Sequence, residues 1–218
     1  LYKIFSIQER KERMESRITL KALWRDDIGM IKIYLALFIG IVLVFSVATM
    51  MLPAFQTNNL FREQLEIRLG QGFAGSAILG VQDSGLFWGI LGNNFKVMIA
   101  CFIMALLTGD GAIFLITWNA SVWGTIFGWT AKAASEFSGQ GVLLLFGKIM
   151  VSVTPHMIIE ALAYILAAIA GAMISKDVLL EEFASERFME VFGFNLYLLL
   201  FALIALLVGT DRRVEGSD

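Results

Sequence analysis

The chain has 218 residues, of which 58% are hydrophobic before glycine is counted and 17% are charged, and its net charge is −2. Ordinary soluble domains hold about 45–50% apolar residues with glycine included and about 25% charged ones. A soluble fold lacks the core to hide so much apolar surface and would expose aggregating patches, so most soluble enzymes, disordered tail proteins and nucleic-acid binders are excluded.

Residues 1–28 are polar and predict a helix. Ser6 and Glu9 have the spacing of a capping box, and Ile7, Met14, Ile18 and Ala22 keep a rough helical stripe. Seven Lys/Arg against five Asp/Glu make it a solvated, cytoplasmic juxtamembrane helix or a surface for lipid headgroups. The start at Leu1, with no signal-peptide pattern, predicts a piece of a longer protein. The transmembrane domain is predicted at 29–208, with a polar tail at 209–218. Its first membrane segment, 29–52, has 24 residues. As a helix it is about 36 Å long, enough to cross a hydrocarbon core of about 30 Å with tilt. Lys32 can snorkel near its start, and Pro53 ends it.

Residues 54–90 predict a surface helix around Arg62, Glu63, Glu66 and Arg68, then glycine-rich turns. A second segment follows at 91–108, with Asn93, Asn94 and Lys96 at its start. Gly109-Asp110-Gly111 predicts a tight turn before a third segment at 112–133. That segment carries Asn119 and a row of small residues, Ala120, Gly124 and Gly128, which lets another helix approach closely. After a polar loop at 134–141, the stretch 142–174 is too long for one straight crossing. Pro155 removes a backbone donor and disfavours helix in its predecessor, so a break is predicted at 154–156. Ala163, Ala167 and Gly171 form a second small-residue row. Residues 176–190 predict an acidic amphipathic stretch, and 191–208 the fifth segment. The fold class is thus an all-α polytopic membrane bundle of about five segments, the fourth broken by proline. The Lys/Arg distribution favours a cytoplasmic N-terminus for this chain.

Ionisable groups at membrane depth cost about 2.5–3.5 kcal/mol each on insertion scales and usually face the bundle interior. Lys96, Asp110, Lys148, His156 and Glu160 form that set. Lys96 can snorkel, and Asp110 lies in a turn. His156 and Glu160 are i,i+4 neighbours and can pair, and Glu160 must be neutral or paired. Two readings stand: a polar clamp between helices, or an ion or proton site beside a helix break, as in transporters. Catalysis has little support. His156 is the sole histidine, so an H-E-x-x-H metal site is absent, and no nucleophile motif surrounds Ser76 or Ser121. Cys101, the sole cysteine, excludes a disulfide framework or a thiolate metal cage.

The run Asn93-Asn94-Phe95-Lys96, the stretch Gly111 to Gly124 around Trp118-Asn119-Ala120, Pro155-His156 followed by Glu160, and Ala167–Gly171 succeed one another in a recognisable order. This order resembles the stage II sporulation protein M family of integral membrane proteins, in its archaeal branch, over about residues 29–208. Met157 stands where that family often has glycine. The resemblance implies a multi-pass plasma-membrane protein. In spore-forming bacteria it implies a membrane anchor for peptidoglycan-degrading partners during septum remodelling. Archaeal members similar to this chain often carry two further spans upstream, which would make residues 1–28 an internal linker.

The function expected from the sequence is a non-enzymatic membrane scaffold or assembly component. Its expected partners are lipids and copies of itself or other membrane proteins, with no nucleic acid, metal or cofactor. The alternative is an ion channel or transporter. Its candidate polar residues are Asn93, Asn94, Lys96, Asn119, Lys148, His156 and Glu160. The candidate packing residues are Ala120, Gly124, Gly128, Ala163, Ala167 and Gly171.

Overall fold

A computed structural model describes residues 20–69, 84–180 and 186–215. Every element in these ranges is a helix: α1 (Leu20–Met51), α2 (Ala54–Leu60), α3 (Arg62–Leu69), α4 (Ser84–Thr108), α5 (Ala112–Ser138), α6 (Val142–Leu180) and α7 (Glu186–Glu215). The predicted N-terminal helix lies largely outside the described residues, as do the glycine-rich turns at 70–83.

Three helices are long and apolar enough to cross a membrane: Ile28–Met51 in α1, Leu91–Thr108 in α4 and Val142–Ser175 in α6. The apolar part of α7, Phe192–Leu207, is shorter. α5 has the length for a crossing, with 27 residues, or about 40 Å. Much of its surface faces protein, which explains its small and polar content: Ser121, Gly124, Thr125 and Gly128 are all buried.

α1 shows how sequence spacing becomes packing. Met30, Tyr34, Phe38, Val42 and Ser46 recur every four residues and are buried, while Leu43, Val44, Val47 and Met51 are exposed. The buried stripe lies along α5, and the apolar exposed face suits lipid. Met51 ends the helix because Pro53 cannot continue it. α2 and α3 then turn onto the end of the bundle, with Thr57 of α2 and Leu65 of α3 buried and the Phe61 ring tilted against that of Phe45, centroids 5.5 Å apart.

The reversal at 109–111 is the predicted turn. Gly109 has φ +79°, a left-handed conformation that glycine adopts without a Cβ clash. α5 runs five residues past its predicted end, to Ser138, and most of the expected polar loop is helix. Gly139 terminates it at φ +68°, and its N–H donates to the Ser135 carbonyl as a left-handed helix cap. α4 begins at Ser84, seven residues before the predicted segment, so Asn93, Asn94 and Lys96 lie well inside it rather than at its start.

The break expected at Pro155 is corrected by the structure: α6 is one helix of 39 residues that runs through the proline. Pro155 and Val151, whose carbonyl loses its donor, both lie on the exposed face, where the ring meets no neighbouring helix. Beyond Pro155, α6 is enclosed on nearly all sides by α4, α5 and α7. Its alanines at 161, 163, 167, 168, 170 and 172 are buried. The burial of this small-residue surface keeps the helix continuous through the centre of the bundle.

Candidate functional site

The two small-residue rows are both spent on contacts within the chain. Gly124 of α5 faces the backbone of Val42, and Gly128 that of Ser46. A Cβ at either glycine would sit 2.4 Å from the α1 carbonyl opposite. Ser46 spans this seam by donating to the carbonyl of Val42, at 2.8 Å, and to that of Gly124, at 3.0 Å. Ala120 is buried one turn earlier on α5. In the second row Gly171 lies on the backbone of α4, where a Cβ would fall 2.3 Å from the Phe102 carbonyl. Ala163 and Ala167 are completely buried. Close approach of this kind is how helices associate where lipid removes the hydrophobic drive.

These seams fix the depth of the polar residues. Val42 lies about 21 Å along α1 from Ile28 and about 14 Å from Met51 at 1.5 Å per residue, near the middle of the first span. Trp123 adjoins Gly124 at this level. The ring of His156 meets the indole of Trp123 edge-on, with centroids 6.1 Å apart and planes at 61°. Glu160, one turn further along α6, is completely buried. The predicted pair His156–Glu160 therefore sits at mid-depth in the bundle.

Asn94 joins this layer from α4. Gly171 contacts Phe102 to Leu106, and the two short reversals make α4 and α6 run in the same direction. Eleven residues before Gly171 stands Glu160, and eight to twelve before those α4 residues stands Asn94, so the two lie at about the same level. Asn94 is 2% exposed. Its Oδ1 accepts from Asn93 Nδ2 at 3.4 Å, while its own Nδ2 has no hydrogen-bond partner among the described residues. A buried amide without a partner costs about 1–3 kcal/mol, which marks this as a polar place in an apolar core.

The other predicted polar residues do not converge there. Asn93 and Lys96 are exposed on α4. Asn119 turns back on its own helix and donates from Nδ2 to the Leu115 carbonyl at 2.9 Å. Lys148 is exposed and reaches Gln140 Oε1 at 3.1 Å, the snorkelling geometry of a lysine near a membrane boundary. Asp110 is exposed in its turn. Met157, which stands in the glycine position of the resembling motif, is buried as an ordinary core side chain.

Several polar residues were missed by sequence reasoning. Ser46 and Thr49 continue the buried stripe of α1, and Thr49 Oγ1 donates to the Phe45 carbonyl at 2.7 Å. Their helical register with Tyr34, Phe38 and Val42 was a usable signal. Thr125 and Asn195 are buried in α5 and α7, and only the packing partners of those helices reveal it. Lys132 of α5 donates to the carbonyl of Leu52 and so caps the end of α1.

A helical bundle with apolar helices of spanning length and a fully buried glutamate, Glu160, in its core defines the class: an integral membrane protein. Within that class the chain matches the family described as stage II sporulation protein M over residues 33–210, and it belongs to that family. No curated protein and no solved structure matches the chain.

Proposed function

We propose that this chain is a non-enzymatic scaffold of the plasma membrane, a static bundle on which other membrane components assemble. α5 and α7 complete five crossings beside α1, α4 and α6, and the polar N-terminal segment lies on the cytoplasmic side. The observation that carries the reading is the pair of glycine seams. At Gly124, Gly128 and Gly171 backbone meets backbone, with no room for a single extra carbon. Interfaces packed to this density resist sliding, whereas a transporter must let one group of helices rock against another.

The test is recovery from native membranes in mild detergent. A fixed stoichiometry with a further protein, retained on a second tag, is the expected result. A monodisperse, monomeric particle with nothing attached contradicts it.

A second reading is an ion channel or transporter, favoured by one observation: His156 and Glu160 lie at mid-depth, where ionisable groups usually serve function. Its test is ion flux in proteoliposomes of wild type and Glu160→Gln. Flux that the variant abolishes supports transport. Absence of flux for protons and common cations in folded protein removes it.

A further inference from the structure

We infer that Glu160 is a proton-binding site with a single entrance, reached through His156 from the end of the bundle that carries the loop 139–141, and closed toward the other end. The residues are those of the transport reading, but no transport is required: no helix has to move, and the site stands equally in a static scaffold.

Burial is graded along one row of α6. Lys148, Ser152, His156, Glu160 and Tyr164 recur every four residues on a helix that runs unbroken through Pro155, so each lies about one turn beyond the last. Lys148 and Ser152 are exposed and His156 is half-buried, whereas Glu160 and Tyr164 are buried. The hydrogen bond from Lys148 to Gln140 in the loop marks the water boundary. The row thus leads from water to the only carboxyl group buried among the described residues.

Helix neighbours four apart have Cβ atoms about 5–6 Å from each other, so imidazole and carboxyl come within reach directly or through a water, as proton transfer requires. In the release step the Glu160 O–H bond breaks as one imidazole nitrogen takes the proton. The other nitrogen then gives its proton to water, leaving a neutral imidazole and a carboxylate in the core. A buried carboxylate is costly without donors. Asn94 of α4, at the level of Glu160, is buried, and its Nδ2 has no hydrogen-bond partner among the described residues. An acceptor that appears when Glu160 ionises accounts for this orphaned donor.

The far side is dry. From Ile165 to Ile174 α6 carries no polar side chain, over about 15 Å, and Ile165, Ala167, Ile169 and Ala170 are buried. The helices around α6 add Tyr34 from α1, Cys101 from α4 and the Asn195 amide from α7 as buried groups. Their charged groups among the described residues lie elsewhere: Lys32, Lys96, Glu136 and Glu190 are exposed, and Lys132 is spent on the Leu52 carbonyl. No three His, Cys, Asp or Glu side chains come together among the described residues, so the ligand that fits is a proton and not a metal ion.

The test is difference infrared spectroscopy of the whole protein in membranes after a pH jump. A protonated-carboxyl band that disappears as pH rises, and that Glu160→Gln lacks, is expected. An amide band should shift with it and be lost in Asn94→Leu. His156→Ala should keep the end point and slow proton–deuteron exchange of the carboxyl band about a hundredfold, and added imidazole should restore the rate, which a merely structural role would not allow. In oriented proteoliposomes the band should respond to a pH jump on one side only, without sustained proton flux. The wild-type spectrum alone decides whether a buried carboxyl titrates, whatever the variants do. No titrating band in wild type, or exchange in His156→Ala as fast as in wild type, overturns the inference. Sustained flux that Glu160→Gln abolishes overturns the closed end and upholds transport. A titrating band without flux supports the inference and removes transport, and neither band nor flux removes both.

Discussion

At Gly124, Gly128 and Gly171 a single methyl group decides whether two helices can touch. The atoms opposite are backbone carbonyls, which cannot swing aside as a side chain does. Gly124→Val or Gly171→Val forces the seam apart, and overpacking of this kind costs about 1–3 kcal/mol, occasionally more. Both variants should unfold at clearly lower temperature in detergent. Gly40 has nothing within 4 Å of its Cβ position, so Gly40→Ala should leave the unfolding temperature unchanged or raise it, since glycine inside a helix costs about 0.5–1 kcal/mol against alanine. Equal losses at Gly124 and Gly40 would contradict the assignment of the seams. The rows containing these glycines were legible from their spacing alone. Their partners were not, because Val42, Ser46 and Phe102 carry no small-residue signature.

Two elements show where local rules yield to packing. Proline in a helix interior costs about 3 kcal/mol, and on that rule α6 should break at 155. It does not, because the helix beyond is enclosed and Pro155 points outward. Pro155→Ala should therefore preserve the fold and raise the unfolding temperature of the solubilised protein. A fall would mean that the proline shapes the helix after all. The end of α1 depends on a residue 80 positions away, Lys132, whose ammonium caps the Leu52 carbonyl. Lys132→Met removes that cap, and amide exchange should quicken across residues 53–61 while α4 and the buried half of α6 stay protected. Uniform exchange changes would show that Lys132 acts elsewhere. No sequence window contains both partners of this contact, so chain-order reading could not find it. The turn at 109–111 was legible, because its geometry is set within three residues.

Across the whole molecule, composition alone placed the protein in lipid, and the first span emerged with its boundaries nearly intact. The burial of α5 was harder to read. Ser121, Trp123 and Thr125 lower its hydropathy, yet they are buried against protein in the middle of the bundle. The same enclosure gathers His156, Glu160 and Asn94 at one depth, whereas the sequence grouped Lys148 with His156 and Glu160 as an ionisable residue at membrane depth. Lys148 belongs to the open half of α6 and turns to Gln140. The candidate site is thus smaller and deeper than the pattern suggested. The seams around it are the main reason to regard the bundle as static.

The measurement that bears most directly on that claim is a distance between spin labels in proteoliposomes. Val44→Cys on α1 and Leu107→Cys on α4, with Cys101→Ala, place labels on exposed positions of two helices that lie on opposite seams. A static scaffold gives one narrow distance distribution that is the same with and without a proton or cation gradient. Two populations whose ratio shifts with the gradient would contradict it and would identify a bundle that rocks.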